Sequence, residues 1–111
     1  MAPKPLLWLG SSRADVRGFP EQARGKVGHE LFQVQQGLTP SDWKPLSTVG
    51  AGVIELRIHA GTEFRILYVA RFAEAIYVLH AFEKRTQQTS QVDLTVARKR
   101  LRDLIQFRAR R

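Results

Sequence analysis

The stretch Val53-Ile-Glu-Leu-Arg-Ile-His-Ala60 decides the fold of this chain of 111 residues. Its isoleucines and leucine alternate with glutamate, arginine and histidine, which predicts a strand with one buried face and one polar face. Gly61 and Thr62 predict a tight turn, and residues 63–71 supply a matching run, so the two segments form a hairpin. A third run at 76–84 extends the hairpin into an antiparallel meander, one side of which is free to face solvent or a ligand.

The residues before the hairpin predict a short strand and two helices. The apolar run at 5–10 forms the strand, and the capping box Ser12-Arg-Ala-Asp15 predicts a helix over 12–18. Pro20 suits a first helical position, so a longer helix follows over 20–36. One buried helical stripe is formed by apolar residues spaced by three or four: Val16, Phe19, Ala23, Val27, Leu31, Val34 and Leu38.

The last third of the chain predicts a helix rich in arginine. A second capping box, Ser90-Gln-Val-Asp93, begins this helix, and its apolar stripe consists of Leu94, Ala97, Leu101 and Leu104. Residues 40–52, between the early helices and the hairpin, predict a loop. The order strand, helices, three strands and helix predicts a single α+β domain over residues 1–111, in which helices pack on an antiparallel sheet.

The composition of the chain favours a polyanionic partner. The chain has 18 lysines and arginines against 10 aspartates and glutamates, a net charge of +8. Such an excess favours nucleic acid or an acidic protein as the partner, and an ordinary solvated basic surface is the alternative. The absence of cysteine excludes disulfides, thiolate metal sites and cysteine nucleophiles. The same absence makes a cytoplasmic location the default expectation. No apolar run approaches the roughly 20 residues of a membrane span, so we expect no membrane partner.

The third strand of the meander offers groups that suit RNA chemistry. Side chains alternate along a strand, so His80, Phe82 and Lys84 share one face, and the two neighbouring strands contribute Arg57 and Arg65. RNA cleavage requires one group to take the 2′-hydroxyl proton, another to protonate the departing 5′-oxygen, and cations to stabilise the phosphorane. Imidazole, ammonium and guanidinium groups cover these tasks without a metal.

Each of these residues also has a structural alternative. His80 is equally suited to a satisfied position in the core, and Tyr68 and Phe82 are typical core aromatics rather than platforms for a base. Strict alternation places Tyr68 on the face opposite Arg65, unless a β-bulge turns both inward. The three histidines are far apart in sequence and no Gly-rich loop opens a helix, so neither a metal nor a nucleotide cofactor is expected.

Several segments together resemble a known family. Val53-Ile-Glu-Leu-Arg57, Phe64-Arg-Ile-Leu-Tyr68 and Val78-Leu-His-Ala-Phe-Glu-Lys-Arg85 are similar, in order and spacing, to the phage-derived Gp49-like (HigB-like) branch of the RelE/ParE toxin superfamily. Gly18-Phe-Pro20 and Ala97-Arg-Lys-Arg-Leu101 extend the similarity over nearly the whole chain. The resemblance implies the RelE-like fold and the toxin of a type II toxin–antitoxin pair, with a cognate antitoxin encoded nearby as its partner.

The resemblance also implies an activity and a site. Many relatives are ribosome-dependent endoribonucleases that cut messenger RNA without a metal, whereas members of the ParE branch poison DNA gyrase. Carried over, Arg57 and Arg65 match phosphate-binding positions, while His80 and Lys84 match the end of the last strand, where relatives hold acid–base or charge-stabilising groups. Arg85 stands where relatives often have a second lysine; its guanidinium keeps the charge but releases no proton at working pH.

We therefore expect a messenger-RNA interferase that acts on the ribosome with no cofactor and no metal. Arg65, His80 and Lys84 are expected to be catalytic. The expected substrate-binding residues are Arg57, Tyr68, Phe82 and Arg85. Two alternatives stay open from the sequence: a ParE-like gyrase poison whose basic C-terminal helix carries the activity, and a non-catalytic remnant that only binds its antitoxin.

Overall fold

The alternating run at 53–60 is one strand of a five-stranded sheet. A computed structural model describes residues 2–110, and over that range the chain forms five strands and three helices. In chain order the elements are β1 (Leu6–Trp8), α1 (Ser12–Arg17), α2 (Glu21–Gln35), β2 (Trp43–Pro45), β3 (Val53–Ala60), β4 (Thr62–Val69), β5 (Ile76–Lys84) and α3 (Gln91–Ala109). The strands lie in the order β1-β5-β4-β3-β2, with β1 parallel to β5 and the other neighbours antiparallel. The predicted α+β architecture and its antiparallel meander are thereby confirmed.

β2 lies inside the segment 40–52 that the sequence predicted to be a loop. It pairs with β3 over a short register, from Trp43 opposite Leu56 to Pro45 opposite Ile54. So short a strand cannot display a period of two, and its proline argues against a strand unless the strand lies at an edge. β2 is the edge of this sheet, so the expectation of a loop is wrong at these positions.

Helices cover both faces of the sheet. α1 and α2 pack on one face, where the predicted stripe is buried or partly buried except at Leu38, which is 56% exposed. Gly37 has a left-handed φ of 81°, and the amides of Gly37 and Leu38 bond back to the carbonyls of Val34 and Gln33. This Schellman motif turns the chain away from the helix axis, so Leu38 does not continue the stripe. α3 packs on the other face through its predicted stripe. None of the helices described over residues 2–110 is long and apolar enough to span a membrane.

The two predicted capping boxes have different outcomes. At the start of α3, the amide of Asp93 donates to Ser90 Oγ at 3.1 Å, which confirms the second box. At the start of α1, the residue before the helix is Ser11, and Ser12 is buried in the first turn. Ser11 Oγ donates to Asp15 Oδ2 at 2.8 Å instead of accepting from an amide. The first box is therefore wrong, both in its position and in its bonding.

The last turn of α3 is bound to the turn between β4 and β5. Arg108 Nε and Nη2 donate to the two carboxylate oxygens of Glu74 at 2.7 and 3.1 Å, and its guanidinium carbon lies 3.7 Å from the centroid of the Phe72 ring. Tyr77 Oη donates a further hydrogen bond to Glu74 at 2.8 Å. This end of α3 is thereby fixed over the β4–β5 turn.

Glu74 gives the stability of the protein a pH dependence of known sign. Its bonds to Arg108, followed by a backbone hydrogen bond and the hydrogen bond from Tyr77, lower the pKa of the Glu74 carboxyl from 4.5 to about 2. A group whose pKa is lowered by folding stabilises the fold above its unfolded pKa, and the contribution is lost as the pH falls through the folded value. We expect Glu74→Gln to be less stable than the wild type at neutral pH, and the difference to shrink as the pH falls from 4.5 towards 2. Urea unfolding at a series of pH values measures this difference, and a constant difference across that range contradicts the assignment.

Candidate functional site

The meander places charged side chains in rows across the sheet face that also carries α3. Paired strands set residues of one face side by side. The rows, read from β3 to β5, are Glu55, Leu67 and His80; Arg57, Arg65 and Phe82; and His59, Glu63 and Lys84, with Lys44 of β2 beside Glu55. The prediction that His80, Phe82 and Lys84 share one face is confirmed.

A buried carboxylate lies at the centre of this charged surface. Glu55 is 1% exposed, and its Oε1 lies 3.3 Å from Arg57 Nε, 3.8 Å from Lys44 Nζ and 4.0 Å from Arg65 Nε. Thr89, in the connection between β5 and α3, donates to Oε2 at 3.5 Å. A buried charge is costly unless it is paired and hydrogen-bonded. The fold therefore requires cations to gather around Glu55.

Arg57 and Arg65 are cross-strand neighbours, an arrangement that destabilises a sheet unless negative charge lies nearby. Arg65 is 6% exposed, and its Nη1 donates to Glu63 Oε1 at 3.1 Å and to the Phe64 carbonyl at 3.0 Å. Its buried Nε has no hydrogen-bond partner within residues 2–110. Arg57 is more exposed, and its Nη1 lies 4.0 Å from Asp42 Oδ1. Carboxylates on several sides thus hold two like charges next to each other.

Lys84 lies beside these arginines without an ion pair of its own. Across residues 2–110, no hydrogen bond or ion pair engages its ammonium group. Partial burial, followed by the nearby charge of Arg65, lowers the pKa of Lys84, and Glu55 opposes this shift. Lys84 also lines a cavity of about 210 Å³ between β5 and the start of α3. We use the name cationic cluster for Lys44, Arg57, Arg65 and Lys84.

His80 is engaged at both ring nitrogens. Nε2 lies 2.7 Å from Asp93 Oδ1, and Nδ1 lies 3.5 Å from Arg100 Nη1. His80 is 8% exposed, and its ring stacks on that of Phe82 with centroids 5.1 Å apart. The side chain thus ties β5 to α3. These surroundings correspond to the alternative of a satisfied core histidine and leave neither nitrogen free for substrate.

Tyr68 lies on the opposite face of the sheet from the cationic cluster. It is 3% exposed in the core shared with α2, and burial, with a smaller effect of Glu30, raises the pKa of its phenol to about 12. A bulge does occur, but the extra residue is Leu79 of β5, so Tyr68 pairs with Val78 and keeps its face. The predicted contact of Tyr68 with a substrate on the cationic face is therefore wrong.

The other two predicted binding residues lie at the border of the cluster. Phe82 is 9% exposed and packs against His80 and the apolar core beneath α3. Arg85 follows β5, where its side chain is 80% exposed and its Nη2 donates to Glu83 Oε1 at 2.7 Å. Both line the same small cavity as Lys84. Arg85 is therefore a rim cation that does not bind Glu55.

Several groups that shape the site were not predicted from the sequence. Lys44 lies on β2, a strand that was not predicted from the sequence. Asp93 was predicted only as part of the cap of α3. His59 bridges two carboxylates, with Nε2 2.6 Å from Asp42 Oδ2 and Nδ1 2.8 Å from Glu63 Oε2. The alternation of β3 did place His59 on the polar face. It could not indicate Asp42 as a partner, because Asp42 lies in a segment outside the predicted hairpin.

The comparison with protein families agrees with the resemblance seen in the sequence. The family of phage-derived Gp49-like proteins matches residues 14–102, a range that contains the whole cationic cluster. The chain belongs to this family. The Gp49-like family is that of the RelE/HigB-like toxins. No curated protein matches this Gp49-like chain as a relative.

The buried position of Glu55 makes its removal costly. Glu55→Leu removes the buried carboxylate beside Arg65 and leaves that guanidinium with Glu63 as its carboxylate partner; breaking a buried pair in this way costs about 3 kcal/mol. The matched control Thr89→Val removes only the 3.5 Å contact to the same carboxylate and costs about 1 kcal/mol. The double variant Glu55→Leu/Arg65→Leu should regain part of the loss because the buried Arg65 guanidinium is then removed together with Glu55. Urea unfolding measures all three, and a wild-type free energy of unfolding for Glu55→Leu contradicts this role.

Proposed function

We propose that this Gp49-like protein is the toxin of a type II toxin–antitoxin pair and cleaves messenger RNA on the ribosome without a metal. The observation that carries the proposal is the cationic cluster, in which side chains from four neighbouring strands converge around one buried carboxylate. Membership of the family of RelE/HigB-like toxins supports the same function. The net charge of +8 also favours a polyanionic substrate.

In this proposal Arg57 binds the phosphate at the cleavage site, and Arg65 adds positive charge beside it. Arg57 offers a partly exposed guanidinium, a group whose planar fork suits a bidentate contact with phosphate. Arg65 lies beside it and is nearly buried, so it contributes charge more than direct contact. Preorganised positive charge of this kind stabilises the extra negative charge of the phosphorane and is usually the largest contribution to catalysis.

Lys84 is the proton donor in this mechanism. Its lowered pKa makes it a stronger acid than an ordinary lysine. The 2′-oxygen attacks phosphorus, the bond to the 5′-oxygen breaks, and Lys84 Nζ gives the departing oxygen its proton, which leaves a 2′,3′-cyclic phosphate. The proton of the 2′-hydroxyl leaves to solvent, because Glu55 and Glu63 are already bound to cations. His80, with both ring nitrogens engaged, positions α3 in this mechanism.

The partner proposed for this toxin is an antitoxin encoded nearby. The resemblance to type II toxins implies such a partner, and the basic composition favours an acidic one. An acidic segment that covers the cationic cluster would neutralise the same charges that bind RNA.

The basic helix α3 gives less support to the alternative of a gyrase poison. Arg98 donates to a loop carbonyl, Lys99 binds an aspartate one turn further along, and Arg108 binds the β4–β5 turn. Several cations of α3 are thus used within the chain. The cationic cluster, by contrast, includes a lysine that the fold leaves unpaired within residues 2–110.

Variants of the cluster test the proposed activity on translating ribosomes programmed with a single message. Lys84→Ala should slow cleavage about 100-fold, the loss expected from a missing general acid, and Lys84→Arg should not restore the rate because arginine does not release a proton. Arg57→Ala should raise the KM. Two controls should cleave at the wild-type rate: Arg102→Ala, an exposed cation on α3, and Tyr68→Phe on the opposite face. Wild-type cleavage by a folded Lys84→Ala protein contradicts the assignment.

The pH profile of cleavage tests the role of Lys84 independently. A general acid must be protonated to act, so the rate falls as the pH rises through the pKa of Lys84, which lies below 10.5. The residual activity of Lys84→Arg should lack this alkaline limb, because a guanidinium stays charged throughout. Single-turnover rates measured at increasing alkaline pH compare the two proteins. If the cleavage rate falls in the same way at alkaline pH in both proteins, the general acid is a group other than Lys84.

A further inference from the structure

In one row of the charged face, an acidic residue lies between two basic residues. Glu63 of β4 lies opposite His59 on one side and opposite Lys84 on the other. Cross-strand neighbours have Cβ atoms about 5 Å apart, so a glutamate here is within reach of both. In the described part of the chain, its carboxylate nevertheless binds towards β3 and along β4: Oε2 lies 2.8 Å from His59 Nδ1, and Oε1 lies 3.1 Å from Arg65 Nη1. Within residues 2–110, no ion pair joins Glu63 to Lys84.

His59 is held in turn by Asp42. The second ring nitrogen, Nε2, lies 2.6 Å from Asp42 Oδ2, and the Asp42 carbonyl accepts the amide of Arg57 at 2.9 Å. An imidazolium carries a proton on each nitrogen and can therefore donate to both carboxylates at once. The bonds to Glu63 and Asp42 raise the pKa of His59, and the bond to His59 lowers the pKa of Glu63. Both pKa shifts favour a bridge in which protonated His59 binds the ionised carboxylates of Glu63 and Asp42.

We propose that His59 is a positioning residue that, together with Asp42, holds the Glu63 carboxylate away from Lys84, so that Lys84 lines the small cavity without a carboxylate partner. The inference deepens the proposed function and rests on it only for the role of Lys84. A carboxylate beside Lys84 would neutralise one member of the cationic cluster. It would also favour the charged ammonium, so that Lys84 released its proton less readily.

Loss of His59 would free Oε2 of Glu63, while Oε1 keeps its bond to Arg65; the other carboxylates nearby have partners of their own. The ionisable groups that share a surface groove with His59 are Glu21, Lys26, His29, Glu30, Asp42 and Arg57. The charged groups around Lys84 are Arg65, Glu55, Lys44 and Arg57, with Arg85, Glu83 and Asp93 on the walls of the small cavity. Glu55 is buried among cations, Glu83 binds Arg85, and Asp93 binds His80.

An NMR titration of the Lys84 ammonium tests this inference without relying on RNA cleavage. The proteins compared are the wild type, His59→Ala, Glu63→Gln and the double variant, with Lys99 on α3 as an internal reference. We expect His59→Ala to raise the pKa of Lys84 by about one unit, the effect of an opposite charge at close range. Glu63→Gln and the double variant should show no rise. His59→Arg restores a cation that can bind carboxylates and should return the Lys84 pKa to its wild-type value.

Each outcome separates this inference from the proposed function. An unchanged Lys84 pKa in folded His59→Ala overturns the inference about His59. A rise of the Lys84 pKa that persists in the double variant also overturns it. If His59→Ala does not fold, the wild type alone tests the inference. Loss of the His59 proton weakens the bridge to Glu63, so the NMR signal of Lys84 must shift in the pH range above 6.5 where His59 titrates. No shift in that window overturns the inference. A wild-type protein that leaves translated messages intact refutes RNA cleavage, whereas the titration still reports on His59.

Discussion

The buried Glu55 carboxylate is the interaction on which the rest of the site depends. A charge that is 1% exposed must be balanced by its surroundings, and the register of β2, β3 and β4 brings Lys44, Arg57 and Arg65 to it. The requirement that stabilises the fold therefore also gathers positive charge on one sheet face. In the proposed function, little reorganisation of these charges would be needed to bind a phosphate, which is the condition under which fixed charges contribute most to catalysis.

The partners of each charged group separate structural roles from functional ones. His80 and Arg65 are almost enclosed, and their polar atoms mostly bind other groups of the chain. Lys84 shares the same face but engages no partner within residues 2–110. A buried or partly buried cation without a partner carries an energetic penalty, so its presence beside a cavity points to a function. Family membership establishes the class of protein, and this difference identifies the group we assign to proton transfer.

The features predicted correctly from the sequence are those that a local period determines. The alternation at 53–60 and 76–84 gave two strands and the shared face of His80, Phe82 and Lys84. The stripe and cap of α3 followed from helical spacing. β2 was missed because three residues show no period, and Leu38 was misplaced because Gly37 turns the chain just before it.

The features missed from the sequence depend on contacts between distant segments. Tyr68 was placed in the site on the chance of a bulge, and the extra residue lies in β5 instead. The partners of His80 lie 13 and 20 residues away on α3, and no local pattern links them to a strand. His59 and Asp42 are joined only because β2 pairs with β3. Site composition was thus readable from strand periodicity, whereas the pairing that distinguishes Lys84 from His80 required the tertiary structure.

The central claim is that the cationic cluster cuts translated messenger RNA. Mapping of transcript ends after induction of this chain alone tests that claim most directly. New ends at a fixed position within codons, confined to translated regions, are the predicted result. Intact messages accompanied by DNA breaks, or intact messages with normal growth, would contradict it.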